Sequence, residues 1–132
     1  MKNSSSPGSP AFFKAVFAWV LLGLIGTSSL RAQAPLTDVN FNTARDLWFS
    51  DQAAAIATYG HIKDWNVTGV TNMFQAFKDK TTFDENITSW DVSNVTNFGG
   101  MFHTATAFNQ PIGDWNVSAA SSMSGMFEGT TA

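Results

Sequence analysis

The chain has 132 residues, of which 13% are charged and 14% aromatic, and it contains no Cys. This length suits one domain with a single core, and the lack of Cys excludes disulfide frameworks, thiolate catalysis and zinc sites built on Cys. The formal net charge is −3, and there is no basic stripe of the kind that holds a phosphate backbone, so nucleic acid is not expected as a partner.

Residues 1–34 predict a secretory signal peptide. Lys2 and Lys14 precede the apolar run AVFAWVLLGLIG, and small residues follow in TSSLRAQAP. This run is shorter than the roughly 20 residues of a membrane span, so a permanent transmembrane helix is the weaker alternative. We expect cleavage after Ala32 or Ala34. The chain left after Ala34 carries four Lys or Arg and ten Asp or Glu, a net charge of −6, which also disfavours anionic membrane surfaces.

Residues 35–61 predict a helical N-terminal cap. Within FNTARDLWFSDQAAAIATYG, four apolar residues share one helix face: Phe41, Ala44, Leu47 and Trp48. Ser50 is expected to cap a second helical stretch, and Gly60 is expected to end it. Such a cap would cover the first of the repeats that follow.

Residues 62–132 contain one pattern three times, as units 62–86, 87–111 and 112–132, with the last unit incomplete. Equivalent positions lie 25 residues apart and are mostly apolar: Trp65/Trp90/Trp115, Ile62/Ile87/Ile112, Val67/Val92/Val117, Met73/Phe98/Met123 and Phe77/Phe102/Phe127. Self-similarity at this period predicts stacked units that cover one another's apolar faces. Because the third unit stops at Ala132, we expect a fragment of a longer array.

The spacing I-x-x-W-x-V is similar to the L-x-x-L-x-L segment of leucine-rich repeats. It predicts a short strand with Trp and Val pointing inward, so the tryptophans are expected in the core and not on a carbohydrate-binding surface. TNMFQAF and its counterparts suit a short helix or turn that Thr71, Thr96 and Ser121 could cap. The predicted fold class is therefore an α/β solenoid: a leucine-rich-repeat-like stack of short parallel strands with short helices or turns, preceded by the helical cap.

The segments DWNVTGVTNM, SWDVSNVTNF and DWNVSAASSM give the pattern W-[ND]-V-[ST]-x-V-[ST]-N-M-x-x-M-F. This pattern resembles the BspA-like leucine-rich repeat surface proteins of bacteria and mycoplasmas, which also occur in some protists, and the resemblance covers residues 38–132. It implies a secreted or surface-displayed binding scaffold, with adhesion proposed for some members, and no enzyme or cofactor. Phe98 in place of Met, Ala120 in place of Val and Ser122 in place of Asn depart from the pattern.

Nine outward polar residues are the candidate binding site on the concave strand face: Asp64, Asn66, Thr68, Ser89, Asp91, Ser93, Asp114, Asn116 and Ser118. Solenoids commonly bind macromolecules on this face, so the expected partner is an extracellular protein or glycan. The alternative for these residues is a solvated sheet face with side-chain ladders. No calcium-loop spacing accompanies the three Asp residues, so no metal site is predicted.

Catalysis is not predicted, because His61 and His103 occupy different positions in their units and no carboxylate pair stands out from the repeat. The predicted function is a non-catalytic adhesion or binding scaffold that is secreted or on the cell surface. The alternative is a structural spacer or stalk from a longer surface protein.

Overall fold

The structure is a computed structural model that describes residues 33–132. The predicted signal peptide lies outside these residues, apart from Gln33 and Ala34. Within the described part, no helix is long and apolar enough to cross a bilayer.

Two α-helices precede the repeats: α1 spans Phe41–Ser50 and α2 spans Gln52–Tyr59. Both lie in the segment for which the sequence predicts helices, and a single 3₁₀ turn, Ile62–Asp64, follows them. α1 buries Phe41 and Trp48, as its apolar stripe predicts.

The junction between the helices differs from the prediction in one residue. Asp51, and not Ser50, caps α2, because its carboxylate accepts a hydrogen bond from the backbone N–H of Ala54 at 3.0 Å. Gly60 ends α2 as predicted, with φ at +76° and its N–H donating to the Ile56 carbonyl at 2.9 Å.

The predicted α/β solenoid of parallel strands is wrong. Residues 33–132 contain no β-strand and no sheet. They contain only isolated parallel bridges, which join Thr37 to Gly69, Asn72 to Asn97 and Asn97 to Ser122. The leucine-rich-repeat-like architecture and its concave strand face are therefore absent from this part of the chain.

Local turns explain why the expected strand does not form. In the second unit, the N–H of Trp90 donates to the Ile87 carbonyl at 3.1 Å. Three residues later, the N–H of Ser93 donates to the Asp91 carboxylate at 3.0 Å. Because these amides are bonded within their own unit, they are not available for a ladder to the next unit. Trp90 and Val92 nevertheless point inward and are buried, so the predicted inward alternation holds without a strand.

The units are joined along a run of consecutive β-turns, which we call the turn strip: residues 72–79, 97–104 and 122–129. Alternate N–H groups of one strip donate to alternate carbonyls of the next at 2.7–2.9 Å: Met73 to Asn97, Gln75 to Gly99, Phe77 to Met101, Asp79 to His103, Phe98 to Ser122, Gly100 to Ser124, Phe102 to Met126 and Thr104 to Glu128. Most of the other amides close turns inside each strip. Between the strips, the N–H donors point toward the third unit. Just before the strips the direction is reversed, because the N–H groups of Thr96 and Ser121 donate back to the carbonyls of Thr71 and Thr96.

Two positions in each turn strip have the left-handed backbone that favours glycine. They are Gln75/Gly100/Gly125 and Asp79/Thr104/Gly129, with φ between 55° and 76°. The third unit has glycine at both positions, whereas the first unit has it at neither. The left-handed backbone at these positions is therefore imposed by the stacking of the strips. It persists in the first unit although the side chains of Gln75 and Asp79 disfavour it.

The hydroxyl groups at Thr71, Thr96 and Ser121 do not cap the turn strip as predicted. The Thr96 hydroxyl donates to the Thr71 carbonyl at 3.1 Å, and Ser121 makes the equivalent bond to Thr96 at 3.0 Å, so these groups tie one unit to the next. The strip is capped by Asn72, whose side-chain oxygen accepts from the N–H of Phe74 at 2.9 Å.

Aromatic rings at equivalent positions stack along the units and form the core. The Trp65 and Trp90 rings are 6.1 Å apart and inclined by 11°. Phe77 stacks on Phe102 at 5.7 Å, and Phe102 stacks on Phe127 at 5.6 Å. The tryptophans are buried, so the prediction that they belong to the core is confirmed.

Trp115 in the third unit departs from the tryptophan stack. Its ring makes tilted contacts with Phe98 and Phe102, with centroids 6.2 and 6.5 Å away. Trp115 is 8% exposed, and its buried Nε1 has no hydrogen-bond partner among the described residues. In the second unit, by contrast, Nε1 of Trp90 donates to the Ile62 carbonyl at 2.8 Å.

Candidate functional site

The nine predicted binding residues form three sets of equivalent positions, which we call the polar columns. The first column is Asp64, Ser89 and Asp114; the second is Asn66, Asp91 and Asn116; the third is Thr68, Ser93 and Ser118. All nine residues are exposed or half-buried. The strand face on which they were predicted does not exist, so the columns follow the turns of the three units.

Side chains of the second unit hold it against the backbone of the first unit beside the columns. The Ser89 hydroxyl donates to the Lys63 carbonyl at 2.9 Å. Asn94 lies just beyond the third column, and its side-chain amide donates to the Thr68 carbonyl at 2.8 Å. The first two units are therefore in direct contact beside the columns.

The second and third columns pair with each other within each unit. The Oδ1 atom of Asn66 accepts hydrogen bonds from the Thr68 N–H at 3.1 Å and from its hydroxyl at 2.7 Å. Asp91 accepts the same two bonds from Ser93, at 3.0 and 2.6 Å. These side-chain turns hold each acceptor in one orientation. The second oxygen of Asp91 and the side-chain amide of Asn66 make no further bond to the described residues, so both could contact a ligand.

The first column carries the more exposed carboxylates. Asp64 pairs with its neighbour Lys63 at 2.7 Å, and both side chains are more than half exposed, so this ion pair contributes little to stability. Asp114 is exposed and makes no hydrogen bond to a described residue. The column thus presents negative charge at two of its three positions.

Hydrogen bonding keeps the central carboxylate ionised. The hydroxyl of Ser93 and then its backbone N–H lower the pKa of Asp91 below its ordinary value. The second column therefore carries one fixed negative charge flanked by two neutral amides.

The sequence did not reveal the role of Asp38, which lies outside the repeats. Its carboxylate accepts from the N–H of Thr71 at 2.8 Å, from the hydroxyl of Thr71 at 2.6 Å and from the N–H of Asn72 at 3.1 Å. Burial raises the pKa of Asp38, but these hydrogen bonds outweigh burial and lower it overall. Asp38 caps amides of the first unit; its position ahead of α1 gave no signal for this, because the contact spans more than 30 residues.

The two histidines lie in separate environments. The Nδ1 atom of His61 accepts from the Lys63 N–H at 3.3 Å, and its ring packs edge-on against Trp48 with centroids 4.9 Å apart. His103 lies in the turn strip, where its Nδ1 is buried without a partner among the described residues. No group of three or more His, Cys, Asp or Glu side chains within residues 33–132 is placed to hold a metal ion.

One pocket was not anticipated from the sequence. It has a volume of about 300 Å³ and lies between the helices and the loop that closes the first unit; its lining includes Trp48, Phe49, Gln52, Phe83 and Glu85. The pocket is wide open to solvent, and Trp48 and Phe83 are buried in its floor. Only a shallow contact could be made there.

A stack of 25-residue units with polar columns along one side defines this chain as a repeat protein. The chain matches the model of a family described as Mycoplasma protein of unknown function, DUF285, over residues 43–132. Since the match covers most of the chain, the chain belongs to this family. The comparisons with curated proteins and with solved structures gave no match.

Proposed function

We propose that this chain is a BspA-like surface repeat protein that is secreted or displayed on the cell and binds an extracellular protein or glycan without catalysing a reaction. Its family is one found in BspA-like surface repeat proteins, which supports this placement. The observation that carries the proposal is the set of polar columns, which repeat the same polar groups every 25 residues along one side of the stack.

The geometry of the columns suits a binding surface with many modest contacts. Because the Asx turns already fix the side chains of Asn66 and Asp91, a ligand would order few additional rotamers on binding. Repetition then adds contacts of the same kind along an extended partner. The three Asp residues, at positions 64, 91 and 114, would favour partners that offer hydrogen-bond donors or positive charge.

The test is a triple variant, Asp64→Asn with Asp91→Asn and Asp114→Asn. Asn already occupies the position of Asp91 in the first and third units, so this substitution keeps the turn and removes the charge. We expect binding to any protein or glycan found on a panel of extracellular-matrix proteins and a glycan array to fall at least about tenfold, with unfolding by urea unchanged. Binding at the wild-type level would contradict the placement of the site.

The matched control neutralises three acids away from the columns: Asp46→Asn, Glu85→Gln and Glu128→Gln. It removes the same amount of negative charge, so a general electrostatic effect would weaken binding in both triple variants. A site on the polar columns predicts that the control binds like the wild type.

The second candidate function is a structural spacer or stalk. One observation favours it: much of the hydrogen-bonding capacity of the columns is used inside the protein, as in the bonds between Asp91 and Ser93 and between Ser89 and Lys63. A spacer predicts no ligand on the same panel for the wild type, together with full stability in the triple variant.

A further inference from the structure

We propose that the pocket between the helices and the first unit is a binding site for a single neutral sugar ring, a pyranose. The pocket lies where α1 ends, where α2 begins and where the loop of residues 82–85 closes the first unit. It shares no residue with the polar columns, so the proposal does not depend on the ligand that we propose for them.

The floor of the pocket is aromatic and is held in place by other rings. Trp48 packs edge-on against Trp65, with centroids 6.2 Å apart, and Phe83 stacks on Phe77 at 4.2 Å. Phe49 packs edge-on against Phe83 at 5.8 Å and is the aromatic residue of the lining that is partly exposed. Because these rings are already fixed, a ligand that covers them orders few additional side chains. The C–H face of a pyranose is apolar and can lie on such a floor.

The rim of the pocket is polar, and its hydrogen-bonding groups are not used inside the described part of the protein. Ser50, Gln52, Thr82 and Glu85 line the rim, and none of their side chains makes a hydrogen bond to a described residue. In the polar columns, by contrast, the acceptors of the second column are already bonded within their units. The rim groups can therefore exchange water for the hydroxyl groups of a sugar without breaking a bond to another described residue.

The stacking of the units does not account for this polar rim. Thr82 and Glu85 correspond to Ala107 and Gln110 in the second unit. The side-chain amide of Gln110 donates to the carbonyl and to the carboxylate of Asp84, both at 2.9 Å, and so ties the second unit to the first. Glu85 makes no such bond to a described residue, and Ala107 shows that the stack needs no hydroxyl at the position of Thr82. Both polar groups are therefore available for a ligand.

The charges around the pocket favour a neutral ligand. The Nζ atom of Lys80 lies over the ring of Phe49, 4.4 Å from its centroid, so a cation is already in contact with this ring and would repel a second one. Glu85 on the rim would repel an anion. The volume of about 300 Å³ is at the lower end of the range for small-molecule sites, about 300–1,000 Å³, so the pocket suits one ring and not an extended chain. A pyranose meets all three conditions: it is neutral, it has an apolar face, and its hydroxyl groups both donate and accept.

The first test is titration of the full chain, followed by nuclear magnetic resonance, with the neutral methyl pyranosides of glucose, galactose, mannose and N-acetylglucosamine. We expect a dissociation constant on the order of 1 mM for at least one of them, because a small ligand in an open pocket gains little free energy. The indole N–H signal of Trp48 and the side-chain amide signals of Gln52 should shift, whereas the indole signal of Trp115 in the third unit should not. No shift with any of the four sugars, or shifts confined to the polar columns, would overturn the proposal. Choline and glucuronate are the charged probes, and tighter binding of either one than of all four sugars would overturn it too.

The second test removes two polar groups of the rim. Gln52→Ala with Thr82→Ala should weaken binding of the same sugar at least about tenfold, and an affinity equal to that of the wild type would show that the sugar binds elsewhere. The matched control is Thr43→Ala with Asn109→Ala, which removes two exposed polar side chains outside the pocket and should bind like the wild type. The triple variant of the polar columns should also keep its affinity for the sugar, so a failure of this site can be told apart from a failure of the columns. Circular dichroism of each variant confirms that it is folded.

Discussion

The tryptophan stack allows one substitution to be compared at two equivalent positions. Trp90→Phe and Trp115→Phe remove the same atoms from neighbouring units, but the indole N–H of Trp90 donates to the Ile62 carbonyl at 2.8 Å, while that of Trp115 is buried without a partner among the described residues. Both variants lose apolar contact area worth roughly 1 kcal/mol. The difference between them therefore reports on the two indole N–H groups, one bonded and one unpaired.

The expected difference follows from the two environments. Trp90→Phe loses a buried hydrogen bond, which costs about 1 kcal/mol more; the Ile62 carbonyl keeps a second donor, the Trp65 N–H at 3.3 Å, which limits this loss. Trp115→Phe removes an unpaired buried donor whose desolvation costs about 1–3 kcal/mol, so it regains that amount. We therefore expect Trp90→Phe to be less stable than Trp115→Phe by at least about 2 kcal/mol.

Urea unfolding followed by far-ultraviolet circular dichroism measures this difference, since the signal does not depend on the tryptophans that are changed. Equal losses of unfolding free energy, within about 0.5 kcal/mol, would show that the two indoles are in equivalent environments and that the third unit does not depart from the stack.

Three further predictions concern single residues. Asp51→Ala should destabilise the protein by about 1 kcal/mol because it removes the cap of α2, while Ser50→Ala should change stability by less than about 0.5 kcal/mol in the same urea titration. Gly100→Ala should cost about 1–2 kcal/mol, because φ is +60° there and an added Cβ would lie 3.2 Å from Gln75. Gly113→Ala meets no atom within 4 Å and should be nearly neutral in thermal unfolding. Hydrogen bonds lower the pKa of Asp38 in the folded state. The stability that the Asp38 carboxylate contributes is therefore present above its unfolded pKa of about 3.9 and is lost as the pH falls through its folded pKa. Asp38→Ala should flatten the fall of unfolding free energy below about pH 4.

The repeat and its inward face could be predicted from the sequence because both depend on apolar residues at a fixed interval. Trp65 and Trp90 are stacked and buried as that interval requires. The helices were also predictable, since Phe41, Ala44 and Trp48 give a helical period and are buried on one side of α1.

The strand could not be rejected from the same pattern. An alternating Trp-x-Val spacing fits a strand, but it fits equally well an extended segment whose polar residues form turns with their own backbone. Asn66 and Asp91 do this, and their bonds to the residues two positions later remove amides from any ladder. The polar residues that indicated the candidate binding face are therefore the same residues whose turns prevent the predicted strand.

The backbone hydrogen bonds between units run in both directions along the stack. Between the turn strips, N–H groups of one unit donate to carbonyls of the next unit; just before the strips, the N–H groups of Thr96 and Ser121 donate back to the carbonyls of Thr71 and Thr96. In the first unit, the N–H of Thr71 has no preceding repeat to bond to. The Asp38 carboxylate accepts from it and from the N–H of Asn72. Asp38 therefore does for the first unit what the carbonyls of Thr71 and Thr96 do for the second and third, which is why a residue outside the repeats completes the hydrogen bonding of the stack.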